Sequence, residues 1–193
     1  MKKLLFSVII LFFSPCSYAS GATTGGVLKD ASLAYGIMTG TTVIHEMAHA
    51  LTVKLLYGVN SDTYIGFSRP DFPRKIPGKM TLNFVGFHPA GAEFYPAWKK
   101  DTKRTPFKDL LVAISGPIIG VLANYLILKG LMKSDDAHKY LLSKIMCLGG
   151  IIGHGAQFYP YACPIVETPS DGIRAYKALL GLLGINKPYQ PAI

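Results

Sequence analysis

The sequence predicts a mainly α-helical membrane protein with three core transmembrane helices and a small β-rich insertion between the first and the second. Half of its 193 residues are hydrophobic, 16% are charged, and the mean hydropathy is +0.31, values typical of membrane proteins. Three apolar stretches, 31–57, 107–131 and 140–161, each have the ~20 residues that a helix needs to cross a bilayer. The polar region between the first two has strand and turn patterns.

The chain divides into a leader, one domain and a short tail. Residues 1–19 resemble a secretory signal peptide, with two lysines at the start, an apolar run and small residues at Ser17 and Ala19. Cleaved or not, this leader places residue 20 outside the cytoplasm. The domain is predicted to cover 20–184, including the β-rich loop 58–106 and an Asp-bearing turn at 164–172, and the tail covers 185–193.

The distribution of charge predicts the orientation in the membrane. The connection between the second and third apolar stretches carries two lysines balanced by two aspartates, whereas the loop 58–106 carries eight basic residues. Loops rich in Lys and Arg stay in the cytoplasm, so we expect this loop and the C-terminus there. The same distribution explains the net charge of +9 without nucleic acid as a partner. The eight residues are Arg69, Arg74, Lys75, Lys79, Lys99, Lys100, Lys103 and Arg104.

The first apolar stretch contains the pentapeptide HEMAH at 45–49. Residues four apart share one face of a helix, so His45 and His49 can reach one metal ion, and Glu46 is offset by one position toward a water on that ion. Ionisable side chains inside an apolar segment are costly and usually mark a functional site. The motif predicts a zinc site that hydrolyses peptides, with Glu46 as general base.

A catalytic zinc site usually has three protein ligands and one water, so a third ligand is needed. Asp171 is the best-placed acid, because it follows the third apolar stretch in a segment interrupted by prolines and is followed by a glycine. An alternative interpretation makes Asp171 the N-cap of a short helix that begins near Ile173. Glu93 is the next choice of ligand if the predicted fold is wrong.

A further histidine, His154, lies in the Gly-rich stretch LGGIIGHGAQF. Its small neighbours would let another helix approach closely. His154 is a candidate oxyanion donor or substrate-positioning residue, a substitute metal ligand, or a packed polar residue.

Several motifs in order resemble the site-2 protease family of intramembrane zinc metallopeptidases. They are HEMAH at 45–49, the stretch MTLNFVGFHPAG, SGPIIG at 115–120 and TPSDG at 168–172. The resemblance covers about residues 31–180. It implies that Asp171 is the third zinc ligand and that the substrates are membrane-spanning segments.

Two positions depart from the family's pattern. The Asn-x-x-Pro element that the family carries before its Asp-Gly is replaced here by Cys163 and Val166. The family commonly has an Asn at the end of its small-Gly-Pro element. This chain has Gly120 at that position, and Asn124 follows one turn later. Asn124 is therefore a second candidate for a residue that positions substrate or the oxyanion.

The expected function is hydrolysis of peptide bonds in or near transmembrane segments by a zinc metalloendopeptidase that binds one Zn²⁺ per chain. The expected partners are a membrane-protein substrate and the lipid bilayer, and the expected location is the bacterial inner membrane. One alternative is a catalytically inactive relative that acts as a membrane scaffold or adaptor, which the missing Asn favours. A second alternative is a secreted soluble HExxH peptidase, which the leader favours.

Overall fold

A computed structural model of the chain describes residues 24–66, 80–84, 92–99, 101–134, 139–160 and 170–185. Within these ranges the chain forms four helices and one three-stranded sheet. The prediction of a mainly α-helical fold with a β insertion between the first two helices is confirmed, whereas the predicted signal peptide lies outside the described residues. The elements are α1 (Thr24–Tyr57), β1 (Ser61–Ile65), β2 (Thr81–Phe84), β3 (Ala92–Pro96), α2 (Pro106–Leu131), α3 (Leu141–Ala156) and α4 (Asp171–Leu182).

Helix α1 starts at Thr24, earlier than the predicted residue 31, and a contact with α3 holds its N-terminal part. Asp30 is 7% exposed and accepts hydrogen bonds from the backbone N–H groups of Leu142 (2.8 Å) and Ser143 (3.1 Å). Both N–H groups belong to the first turn of α3, where the preceding residue, Tyr140, provides no side-chain cap. A side chain of α1 therefore caps α3.

Replacing Asp30 with Ala should lower the free energy of unfolding by about 1–2 kcal/mol, the usual cost of losing a helix cap. Thermal unfolding in detergent would measure this loss. Lys29→Ala is the matched control, because Lys29 is the exposed neighbour. Equal melting temperatures for the two variants would contradict the capping role.

Helix α2 begins with local N-terminal signals and is then tied to α1. The Thr105 side chain accepts a hydrogen bond from the backbone N–H three residues on, and Pro106 occupies the first turn. Asp109 is buried, accepts a hydrogen bond from the Tyr57 hydroxyl (2.6 Å) and pairs with Arg104 (2.9 Å). These contacts join the end of α1 to the start of α2. Helix α2 then packs against α1, α3 and α4, so it forms the centre of the bundle.

Within the described residues, α2 alone has both the length and the apolar composition of a membrane span. Helix α3 is apolar, but its 16 residues extend only ~24 Å, less than the ~30 Å core of a bilayer. Helix α1 has 34 residues and is less apolar than α2. One of the three predicted spans is therefore a candidate by length and composition, and the other two remain predictions.

The sheet lies beside α1 and has the strand order β2-β1-β3. Strand β1 pairs in parallel with β2 and antiparallel with β3, where Thr63 lies opposite Phe94. Phe94 belongs to a buried apolar cluster with residues of α1, α2 and the turn before β1. The cluster anchors the sheet against the part of α1 that carries the HEMAH motif. Its other members are Ala50, Val53, Val59 and Val112.

The end of α3 and the start of α4 differ from the prediction. Helix α3 ends at Ala156 rather than at 161, because Pro160 disfavours helical backbone at the residue before it. The predicted Asp-bearing turn at 164–172 ends in a helix instead, since Asp171 is the first residue of α4. Ser170 caps this helix, and its side chain accepts a hydrogen bond from the Ile173 N–H (3.3 Å). The first part of the predicted turn, up to residue 169, lies outside the described residues.

Candidate metal centre

The two histidines of HEMAH lie on one buried face of α1. His45 is 2% exposed and His49 is 1% exposed, and their Nε2 atoms are 3.2 Å apart. This proximity follows from the helical spacing of four residues. The rest of the site comes from the helices that pack against this face.

Helix α4 brings Asp171 to the two histidines. Its Oδ2 atom is 3.2 Å from His45 Nε2 and 3.1 Å from His49 Nε2. The start of α4 is held against the end of α3, because a Cβ atom at Gly172 would overlap the carbonyl of Tyr159. Gly172 therefore lets the N-terminus of α4 come close enough to place Asp171 beside the histidines. The interpretation of Asp171 as an N-cap is wrong, because Ser170 is the cap and Asp171 is the first residue of the helix, where its side chain faces the histidines.

The three ligand atoms form a nearly equilateral triangle with sides of 3.1–3.2 Å. Ligands about 2.0–2.1 Å from a tetrahedral metal ion lie about 3.3–3.4 Å from one another, so the triangle fits such an ion with small adjustments. A proton can bridge only one pair of these atoms, whereas a metal ion would be held by all three. Among the described residues, His45, His49 and Asp171 are the group that could hold a metal ion.

Neighbouring contacts orient the His49 ring. Its Nδ1 lies 2.6 Å from the Val112 carbonyl oxygen, so Nδ1–H donates to that carbonyl and the Nε2 lone pair is left for a metal ion. The Ser115 hydroxyl is 3.4 Å from the same Nδ1. By contrast, the His45 Nδ1 is buried and has no hydrogen-bond partner in the described part of the chain.

Glu46 lies beside the triangle without belonging to it. Its Oε1 is 3.9 Å from His45 Nε2, and the residue is 8% exposed. A carboxylate at this distance can reach a water bound at an open position of the metal ion. The offset expected from the sequence, one residue after the first histidine, is the one observed.

Glycines of α2 and α3 make room for the polar side chains of the site. A Cβ atom at Gly116 would overlap the His49 imidazole, and one at Gly120 would lie 2.7 Å from the His154 ring. A Cβ atom at Gly150 of α3 would overlap the Asn124 amide. The small residues of SGPIIG therefore serve the metal centre directly, in addition to allowing close helix packing.

The structure places His154 beside His45 but outside the ligand triangle. The two rings are stacked, with centroids 4.8 Å apart and an interplanar angle of 20°. His154 Nδ1 is buried and finds no hydrogen-bond partner among the residues that the structure describes. The interpretation of His154 as a substitute metal ligand is disfavoured, because the group that could hold a metal ion consists of His45, His49 and Asp171. Its role as an oxyanion donor or substrate-positioning residue stays a prediction.

Asn124 is 1% exposed and lies one helical turn beyond Gly120 on α2. Its Nδ2 donates to the Gly120 carbonyl oxygen of its own helix (2.9 Å), and within the described residues its Oδ1 has no partner. The Asn124 amide therefore packs between α2 and α3 near His154. Its predicted role in positioning substrate is untested by these contacts.

Two residues near the ligands were not predicted from the sequence. The Phe94 ring of β3 stacks on the His49 imidazole, with centroids 5.3 Å apart and an interplanar angle of 16°. Arg174 of α4 also contacts Phe94, with its Cζ 6.0 Å from the centroid of that ring. The spacing of three residues between Asp171 and Arg174 is a sequence signal once a helix is recognised there. Phe94 has no local signal, because the fold of the insertion brings it to the site.

Replacing Gly116 with Ala should remove the metal ion and destabilise the protein by about 1–3 kcal/mol, the usual cost of overpacking a core. The added methyl group would displace the His49 ring from the triangle. Zinc per chain after gel filtration and the melting temperature would measure both effects. Gly130→Ala is the matched control on α2, because no atom lies within 4 Å of a Cβ atom there. Full zinc occupancy in Gly116→Ala would contradict this account of the His49 pocket.

Comparison of the chain with protein-family models, with curated proteins and with solved structures finds no match in any of the three. The assignment of function therefore rests on the motifs of the sequence and the geometry of the site.

Proposed function

We propose that this protein is an intramembrane zinc metallopeptidase of the site-2 protease type. The observation that supports this most is the triangle of His45, His49 and Asp171 with the Glu46 carboxylate 3.9 Å from His45 Nε2. Two imidazoles and one carboxylate are a usual donor set for catalytic zinc. A site with three protein ligands leaves a fourth position for water or substrate, which suits hydrolysis.

A zinc ion held by these residues would polarise a carbonyl group and lower the pKa of a water in its open position toward ~7. The chain's own groups then handle the protons. The Glu46 carboxylate accepts the proton of the attacking water and later donates it to the leaving amine nitrogen. The hydrogen bond from His49 Nδ1 to the Val112 carbonyl keeps the imidazole in the required tautomer and orientation.

The surface of the helices supports insertion into a membrane. Only 33% of the most apolar window of α2 is buried inside the protein, which favours a helix that faces lipid over the covered core helix of a soluble domain. Large apolar side chains are also exposed on α1, α3 and α4. In a bilayer these side chains would face lipid, which avoids the unfavourable exposure of apolar surface to water. Examples are Leu51, Leu55, Leu122, Leu126, Leu148, Ile152, Leu179 and Leu182.

The charged side chains at the start of α2 support the predicted orientation. Arg104 and Asp109 form their ion pair at the end of the β-containing region, and the Arg104 guanidinium lies over the Trp98 ring (4.4 Å). Aromatic and basic residues are enriched at membrane interfaces, with Lys and Arg on the cytoplasmic side. We therefore place 58–106 and the C-terminus in the cytoplasm of a bacterial cell, with the protein in its inner membrane.

The substrate would be a membrane-spanning segment that unwinds locally, because a helix hides its peptide bonds in internal hydrogen bonds. Strand β3 lies beside the ligands through the contact of Phe94 with His49. An extended substrate segment next to β3 would therefore lie close to the metal centre. Strand addition at a sheet edge is a common mode of peptide recognition.

The proposed function is tested with protein purified in detergent and reconstituted in liposomes. We expect one zinc per chain, cleavage of a reporter that contains a single transmembrane segment, loss of cleavage on treatment with a chelator and its return on addition of zinc. Zinc without cleavage would favour the inactive scaffold. Release from membranes by alkaline carbonate would favour a soluble peptidase, and wild-type protein without zinc would exclude the metalloenzyme.

A further inference from the structure

Arg174 is the charged residue nearest the ligand triangle that the proposed mechanism does not use. It lies one turn after Asp171 on α4, and its Nη1 is 3.9 Å from Asp171 Oδ1. The two histidines contact the other carboxylate oxygen, Oδ2. At 3.9 Å the contact is longer than a hydrogen bond. Arg174 therefore lies beside the metal ligand without being held by it.

The guanidinium has donors available toward the site. It carries five N–H groups in a fixed plane. In the described part of the chain, the buried Arg174 Nε has no hydrogen-bond partner. The side chain as a whole is nevertheless 23% exposed, so it is not enclosed by the residues around it. Because a buried donor without an acceptor is unfavourable, this arrangement suits a ligand that supplies an oxygen atom.

Phe94 holds the guanidinium near the metal ligands. Its ring contacts both groups: the Arg174 Cζ is 6.0 Å from the ring centroid, and the His49 ring is stacked 5.3 Å from it. A guanidinium at this distance from an aromatic face is attracted by the ring. Arg174 thus lies near the ligand Asp171, through the 3.9 Å contact, and near the ring that stacks on the ligand His49.

The charges of the site leave room for one negative charge on a bound group. Two neutral imidazoles and the carboxylates of Asp171 and Glu46 would balance the charge of a divalent ion. Arg174 then adds one positive charge that these groups do not neutralise. During hydrolysis, the oxygen of the scissile carbonyl gains one negative charge as water adds to the carbon.

We propose that Arg174 is a catalytic residue that donates hydrogen bonds to the scissile carbonyl oxygen as its negative charge develops. This proposal rests on the proposed peptidase function. In the balanced reaction, the water oxygen bonds to the carbonyl carbon, the π electrons move to the carbonyl oxygen, and Glu46 takes the water proton. The C–N bond then breaks, the carbonyl re-forms, and Glu46 gives the proton to the amine nitrogen. Arg174 keeps its own protons throughout.

The test compares Arg174→Gln and Arg174→Lys with wild type and with Lys177→Gln. Lys177 is exposed on the same helix, so Lys177→Gln removes an equal charge outside the site. For Arg174→Gln we expect kcat on the transmembrane reporter to fall about 10² to 10³-fold, the usual effect of removing one oxyanion donor, with KM changed less than about threefold. Arg174→Lys should recover part of the loss, and Lys177→Gln should match wild type.

Three further measurements separate this role from support of Asp171. Zinc per chain and the visible spectrum of the cobalt-substituted protein should be the same in Arg174→Gln and wild type. A phosphinic peptide built on the cleaved reporter sequence carries the transition-state charge, and its Kd should rise about as much as kcat falls.

Each other outcome overturns the proposal. Loss of zinc or an altered cobalt spectrum would show that Arg174 acts through Asp171. A higher KM at unchanged kcat would assign it to ground-state binding, and wild-type activity in Arg174→Gln would leave it no catalytic role. Failure of zinc-loaded wild type to cleave the reporter would refute the peptidase function itself, and this proposal with it.

Discussion

Replacing Glu46 with Gln should reduce reporter cleavage by about 10² to 10⁴-fold, the range that general acid–base catalysis contributes, while zinc remains bound. The amide has the size of the carboxylate but cannot accept the water proton. Because Glu46 lies outside the ligand triangle, its replacement removes no bond to the metal ion. Single-turnover cleavage rates and zinc per chain, measured on the same preparation, would check both halves of this expectation.

Glu93→Gln provides the matched control for Glu46→Gln. Glu93 accepts a hydrogen bond from the Tyr95 hydroxyl on β3. Since neighbouring residues of a strand point to opposite faces, Glu93 points away from the side on which Phe94 contacts His49. Glu93→Gln should therefore keep wild-type cleavage and zinc. Undiminished cleavage by Glu46→Gln would remove Glu46 from the mechanism, and loss of zinc in that variant would indicate that Glu46 is a ligand.

The sequence was most informative where a function depends on one continuous helix. His45, Glu46 and His49 belong to five consecutive residues, so helical periodicity alone places both imidazoles on one face and the carboxylate beside them. The third ligand lies more than a hundred residues later. Asp171 was selected from its Pro- and Gly-rich surroundings and from the family resemblance, and the structure places it 3.1–3.2 Å from both histidines.

Features that depend on contacts between distant segments were missed. Phe94 reaches His49 because the sheet packs on α1, and nothing in the residues around Phe94 indicates that contact. The cap that Asp30 of α1 provides for the first turn of α3 joins residues more than a hundred positions apart. Gly116 was noted only as part of the SGPIIG motif, because its use as a pocket for the His49 ring is visible only with both helices in place.

The polar side chains at the centre of the bundle account for three of the seven glycines of α2 and α3. His49, His154 and Asn124 are too large for an interface between helices lined with ordinary apolar side chains. Each lies against a glycine of a neighbouring helix, at Gly116, Gly120 or Gly150. At these three positions any side chain larger than hydrogen would overlap the polar group. Substitutions there should therefore disturb the bundle, whereas Gly130 and Gly149 have free space around them.

Replacing Asp171 with Ala should remove the metal ion from the purified protein. The variant loses one of three protein ligands, and the two remaining histidines hold a metal ion weakly. A ligand that binds only the folded state stabilises it by about 2.7 kcal/mol when its concentration is 100 times Kd. A chelator should therefore lower the melting temperature of wild type and leave that of Asp171→Ala unchanged. This difference is independent of any substrate.

Asp101→Ala is the matched control for Asp171→Ala, because Asp101 is exposed and far along the chain from the metal ligands. It should keep one zinc per chain and the wild-type response to chelator. His45→Ala should behave like Asp171→Ala, since both supply one corner of the same triangle. If Asp171→Ala bound zinc with wild-type affinity, the third ligand would have to come from another acid. The proposal that α4 supplies a metal ligand would then be wrong. If both variants lost zinc, the closed triangle would be the feature that makes this bundle a metalloprotein.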